Sequence, residues 1–80
     1  MDPLDGNAIA GALFAHFGRE MTMAQVRCLH CQSATLMAQL RVYMKAPGAV
    51  ARCPTCDEVV MVIVSVRDTE RYDMSNLEMV

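Results

Sequence analysis

"RCLHC" at residues 27–31 returns as "RCPTC" at residues 52–56, and these two phrases hold all four cysteines of an 80-residue chain. Each phrase puts two residues between its cysteines, a spacing that lets one tight turn aim both sulfurs at a single point. Two such turns can supply four thiolates, at about 2.3 Å each, to a tetrahedral Zn²⁺. The 21 residues between Cys31 and Cys53 pass the usual window of roughly 15–20 by one, and this stretch is the part free to vary. The expected site is a metal centre at Cys28, Cys31, Cys53 and Cys56. Four thiolates leave no open coordination position, so the ion is expected to be structural and the protein non-enzymatic, with no catalytic residues. Tetrahedral sulfur suits iron as well as zinc, as in rubredoxin, so the ligands alone leave Fe open beside Zn²⁺.

The flanking sequence places both phrases at the tips of β-hairpins. In "LMAQLRVYMK", Leu36, Ala38, Leu40, Val42 and Met44 alternate with Gln39, Arg41 and Lys45, the period of a half-buried strand. "APG" at 46–48 is a turn, and Ala49 to Arg52 is the returning strand. Residues 59–67 are nearly continuous in Val, Ile and Met, which predicts a central strand covered on both faces. A short strand is expected near 23–27, another after "RDTE" around 70–74, and Leu77, Met79 and Val80 as an edge. Two hairpin tips facing each other across a metal form a zinc ribbon.

Before the ribbon, Ile9, Leu13 and Phe17 recur every fourth residue, with Ala and Phe14 widening the stripe, so about 3–17 is predicted to be a helix. Asp2 is placed to cap it, Pro3 to occupy its first position and Gly18 to end it. In "DGN", Asp5 and Asn7 are helix-start residues and Gly6 is a tolerated glycine; the functional alternative is a polar recognition surface where the helix meets the ribbon. The predicted fold is small α+β: a single domain over 1–80, with an N-terminal helix followed by a zinc-ribbon-like antiparallel β domain from about 22 to 80.

A chain this short buries a small fraction of its surface, and its core needs a staple. Asp2 and Asp5 stand where a secretory signal would carry Lys or Arg, so the N-terminus reads as retained and the protein as cytoplasmic. VVMVIVSV at 59–66 falls far short of the ~20 residues of a membrane span, so no membrane association is expected. In a reducing compartment paired cysteines more often hold metal or do redox work than form disulfides. A thioredoxin-like use would need a CxxC opening a helix, and here both pairs flank strands. Disulfides, a thiol-redox role and metal transfer through the CxxC pairs stay open as alternatives.

Net charge is −2, yet from Met21 to Cys56 there is no Asp or Glu, while Arg27, Arg41, Lys45 and Arg52 all fall there. The plain reading is a solvated pattern that offsets the thiolates, and the sharper one is a patch for phosphate or an acidic partner. Arg27 and Arg52, each just ahead of a knuckle, are expected to balance the charge of the metal–thiolate centre, the alternative being contact with a partner. His30 is redundant beside four thiolates and reads as a surface residue; His16 reads as an exposed or boundary residue. The eight methionines serve adaptable packing rather than copper, since only Met21 and Met23 lie close together. With Phe14, Phe17, Tyr43 and Tyr72 as the only aromatics, base-stacking surface is scarce, which favours an unknown protein partner over nucleic acid.

"MDPLDGNAIAG" at 1–11, "CLHC", and "LRVYMKAPGAVARCPTCDEVVM" at 40–61 together resemble a family of short bacterial proteins of unknown function. The resemblance spans nearly the whole chain and implies a metal site at the four cysteines with no established activity. Many zinc ribbons carry Gly after the second cysteine of each knuckle, where positive φ turns backbone amides toward sulfur. Here those positions are Gln32 and Asp57, so the first knuckle is expected to be strained or differently shaped.

Overall fold

The described chain, residues 4–45, 48–67 and 69–79 of a computed structural model, begins extended rather than helical. Leu4 exchanges both backbone hydrogen bonds with Val42, at 2.7 Å each. That pairing holds the chain away from helical geometry until Asp5, whose carboxylate accepts the Asn7 N–H at 3.0 Å. A 3-10 turn over Gly6–Ile9 then passes into helix α1, Ala10–Phe17. The predicted helix over 3–17 therefore starts late, and Asp5 caps the 3-10 turn that leads into it; the roles assigned to Asp2 and Pro3 lie outside the described residues. Gly18 ends α1 as expected, at φ 74° with its N–H on the Phe14 carbonyl. Ile9 and Leu13 are buried and Phe17 half-buried, but Phe14 is 54% exposed and does not widen the stripe.

Among the described residues seven strands follow, in two antiparallel sheets. The smaller sheet has the order β2-β1-β7, from Ala34–Leu36, Gln25–Cys28 and Leu77–Met79; the larger has β3-β4-β5-β6, from Arg41–Lys45, Gly48–Arg52, Val59–Val66 and Thr69–Asp73. The molecule is thus small α+β and zinc-ribbon-like, with one N-terminal helix and antiparallel sheets. Each cysteine phrase lies in a hairpin, the first joining β1 to β2 and the second joining β4 to β5.

Two expectations are corrected. The single strand read from 36 to 45 is broken by a 3-10 turn over Met37–Gln39. Met37 and Ala38 donate their N–H groups to the carbonyls of Ala24 and Thr22 instead of continuing a ladder. Met37 is therefore buried, while Met44, placed on the apolar face by the alternation, is 46% exposed. β7 is an edge strand, as expected, and the strand it borders is β1, with Leu77 paired to Cys28 and Glu78 to Arg27. β5 is central, as predicted, but beyond the bulge near Arg52, where Val60 and Met61 are both buried, it is covered on one side only. Met61 and Ile63 are buried beneath α1 and its preceding turn, whereas Val62 and Val64 are half-buried and Val66 is 50% exposed. Ala46 and Pro47 of the expected APG turn, Asp68 of the RDTE turn and the edge residue Val80 lie outside the described residues.

The core is one contiguous cluster that joins Ile9 and Leu13 to Met21, Val26, Met37, Leu40, Val42, Met61 and Ile63, and it includes Cys28 and Cys53. The Tyr72 hydroxyl, reaching from β6, donates to the Ala12 carbonyl at 2.9 Å and ties α1 to the larger sheet. Gly6 is required by a close approach: a Cβ there would lie 1.9 Å from the Met37 carbonyl oxygen, so the two 3-10 turns can touch only through glycine. Packing thus accounts for the Gly6 of "DGN".

Candidate metal centre

The two knuckles have the same backbone construction. In the first, the Cys28 N–H donates to the Ser33 carbonyl at 2.9 Å and the Gln32 N–H to the Cys28 carbonyl at 2.8 Å. In the second, the Cys53 N–H donates to the Glu58 carbonyl and the Asp57 N–H to the Cys53 carbonyl, both at 2.9 Å. Closing these loops forces the residue after the second cysteine into the left-handed region, with Gln32 at φ 67° and Asp57 at φ 63°. The positions where many ribbons use Gly therefore keep the backbone that Gly would take, and the first knuckle differs from the second in side chain rather than in shape. The Gln32 amide compensates in part by donating to the Leu29 carbonyl at 3.0 Å.

The first cysteine of each pair, Cys28 or Cys53, is buried; the second, Cys31 or Cys56, is half-buried. Across the two hairpins, the Cys28 and Cys56 sulfurs are 3.7 Å apart, as are those of Cys31 and Cys53. All four sulfurs lie within 4.8 Å of one another. A disulfide would bring two sulfurs to about 2.05 Å, so each of these thiols is free. Four sulfurs at about 2.3 Å from a common centre would be roughly 3.8 Å apart. The cross-hairpin spacing fits that edge, and the four cysteines are close enough to hold a metal ion.

Donors are aimed at the sulfurs as well. The Ser33 hydroxyl, then its N–H, draw the Cys31 thiol down to about 6, with the sulfurs of Cys56 and Cys53 adding to the effect against some burial. At Cys56 the Glu58 N–H acts in the same direction, but burial and the three surrounding sulfurs oppose it and push that thiol up to about 12. The Thr55 N–H points at the Cys53 sulfur, 3.4 Å away. Ser33 and Glu58 each stand two residues past the second cysteine of their knuckle. That register was the available signal for them in the sequence, and the reading from ligand spacing passed over it.

The remaining polar residues are placed as follows. Arg27 does not face the sulfurs but pairs with Glu78 at 3.7 Å, directly across the β1–β7 ladder. The Arg52 guanidinium donates to the Asp57 carbonyl at 2.8 Å and braces the second knuckle. Neither arginine takes the expected place beside the thiolates. His30 is exposed and approaches Glu58 at 3.9 Å, joining one knuckle tip to the other outside the sulfur cluster. His16 is exposed and stacks on Tyr72 with ring centres 4.0 Å apart. Met21 is buried in the core and Met23 is 70% exposed, so the pair does not share a site. Among the described residues no helix is long and apolar enough to cross a membrane.

No curated protein and no solved structure matches the chain significantly. Over residues 1–80 it matches a family of unknown function, DUF6510, and it is to this family that the chain belongs.

Proposed function

We propose that the protein is a non-enzymatic module in which Cys28, Cys31, Cys53 and Cys56 hold one structural Zn²⁺, and that the domain so stabilised makes contacts with a partner macromolecule in the cytoplasm. The observation that carries this reading is the convergence of four free sulfurs from two like-built knuckles, 3.7 Å apart across the hairpins. A cation there would neutralise thiolates that the fold crowds together and hold them deprotonated. Structural zinc contributes about 10–16 kcal/mol in small peptides, as much as the whole stability of a typical domain, about 5–15 kcal/mol. The ion would therefore decide whether the two hairpins stay joined.

Elemental analysis of the untagged purified protein, with thiol titration of the same sample, tests this. One zinc per chain and no reactive thiol are expected; Cys53→Ser is expected to lose the metal and lower Tm sharply. A Cys53→Ser variant that kept both its metal and its Tm would overturn the four-ligand site. Iron in place of zinc would change the ion and leave the rest standing. The half-buried Cys31 and Cys56 favour, as a second reading, direct thiol-redox or metal-transfer chemistry, which requires a titratable thiol in the native metal-loaded protein.

A further inference from the structure

The face of the larger sheet turned away from α1 is the part of the molecule that packing leaves unexplained. Cross-strand pairing puts Tyr43, Val50 and Val62 side by side in one row on that face. Val64 and Arg71 follow in the next, and Arg41 stands opposite Arg52 at the other end. Tyr43, Val50, Val62 and Val64 are all half-buried, which leaves an apolar shelf across three strands with nothing in the described chain packed on it. A recess of about 370 Å³ opens between Tyr43, Val50, Arg52 and Asp57. Contiguous apolar surface rimmed by charge marks a contact site.

The charge on the shelf is what selects its occupant. Like charges directly opposite on one face of an antiparallel pair are destabilising, yet Arg41 and Arg52 hold that register. The fold neutralises Arg27 of the acid-free stretch through Glu78. Among the described residues none of Arg41, Arg52 and Arg71 has a carboxylate within ion-pair distance. The carboxylates on this surface are Asp73, opposite Val62, and Asp57, which lines the recess beside Arg52, so the arginines outnumber them. A second copy laid on this face would bring three arginines a side, Arg41, Arg52 and Arg71, against two carboxylates, Asp57 and Asp73, and leave like charge unpaired. Single-stranded nucleic acid needs aromatic platforms for its bases, and the shelf offers valines and one tyrosine.

We infer that this face receives a segment of a partner protein that is apolar on one side and carries Asp or Glu beside its apolar residues, the carboxylates meeting Arg41 and Arg52 while the apolar side chains cover Tyr43, Val50 and Val62. The inference deepens the proposed reading of a metal-held contact module and rests on it.

The test uses the metal-loaded full chain to select from a displayed library of random peptides, followed by fluorescence anisotropy with the selected peptides and with labelled single-stranded oligouridylate. Selected peptides are expected to be enriched in Asp and Glu interleaved with apolar residues. Their affinity should fall at least about tenfold in Arg41→Glu and in Val62→Thr, and should be unchanged in Arg19→Glu, an exposed position away from the shelf. Failure to recover binders, a selected pool without acidic enrichment, binding insensitive to both shelf variants, or oligouridylate displacing the peptides would each overturn the inference, as would a dimer broken by Arg41→Glu. Zinc content and Tm, measured on every variant, separate the two proposals: intact metal with no peptide binding removes the docking face alone, and peptide binding by a chain that holds no metal removes the metal reading alone.

Discussion

Two glycines show how differently the same residue can be used within one short segment. Gly6 is buried where the two 3-10 turns meet, and a methyl group added there would collide with backbone rather than with a yielding side chain. Gly6→Ala is therefore expected to cost about 2–3 kcal/mol, because the turn over Met37–Gln39 would have to retreat and carry buried Met37 with it. Gly11 lies within α1 with no atom within 4 Å of the position a Cβ would occupy. Gly11→Ala should raise stability by about 0.5–1 kcal/mol, the ordinary preference of a helix for alanine. Paired denaturation curves check both; equal effects of one sign would contradict the close approach at Gly6. The cysteines stand at the opposite pole of legibility. Their spacing identified the cluster without help from the fold, because two knuckles are local turns whose geometry follows from a few residues each. The positive φ at Gln32 and Asp57 was also foreseeable, being the same turn seen from its backbone.

Legibility fell off where one segment is shaped by another that is distant in sequence. The alternation from Leu36 to Met44 is a sound strand signal, yet the carbonyls of Thr22 and Ala24 capture two of its N–H groups, and the Gln39 side chain accepts from the Leu36 N–H at 3.1 Å and the Thr35 hydroxyl at 2.7 Å. A periodicity reading sees none of these partners. The return of β7 to β1 was hidden for the same reason, since a three-residue strand, Leu77–Met79, carries too little pattern to name its neighbour. The attachment of α1 depends on a similar long-range contact, between Tyr72 and Ala12. Tyr72→Phe removes that bond and keeps the ring, so a loss of about 1 kcal/mol is expected. Hydrogen exchange should show the loss concentrated in Ala10–Phe17; a uniform change across both sheets would mean that the hydroxyl does not anchor the helix.

Joining these parts is a core that runs from α1 through the larger sheet to Cys28 and Cys53, so the sulfur cluster and the hydrophobic cluster are continuous and should unfold together. Protonation offers a way to see this. In the metal-free chain the Cys31 thiol is drawn from 9.0 down to about 6, so between those values the unfolded state binds the extra proton and stability rises with pH. The Cys56 thiol is pushed from 9.0 up to about 12, so above pH 9.0 it is the folded state that keeps a proton, and stability falls as pH climbs toward that value. Through these two groups the metal-free chain gains stability as pH rises through neutrality and loses it again in alkali. With metal bound all four groups would be held as thiolates, and protons would compete for them as pH falls. The Tm difference between loaded and metal-free protein should therefore shrink steadily on acidification, reaching nothing once the ion is released. Melting curves recorded from acid to alkaline pH, with and without a chelator, measure both trends. If chelator left the curves superimposed at neutral pH, the sulfur cluster would be a set of packed thiols, and the hydrophobic cluster alone would hold the hairpins together.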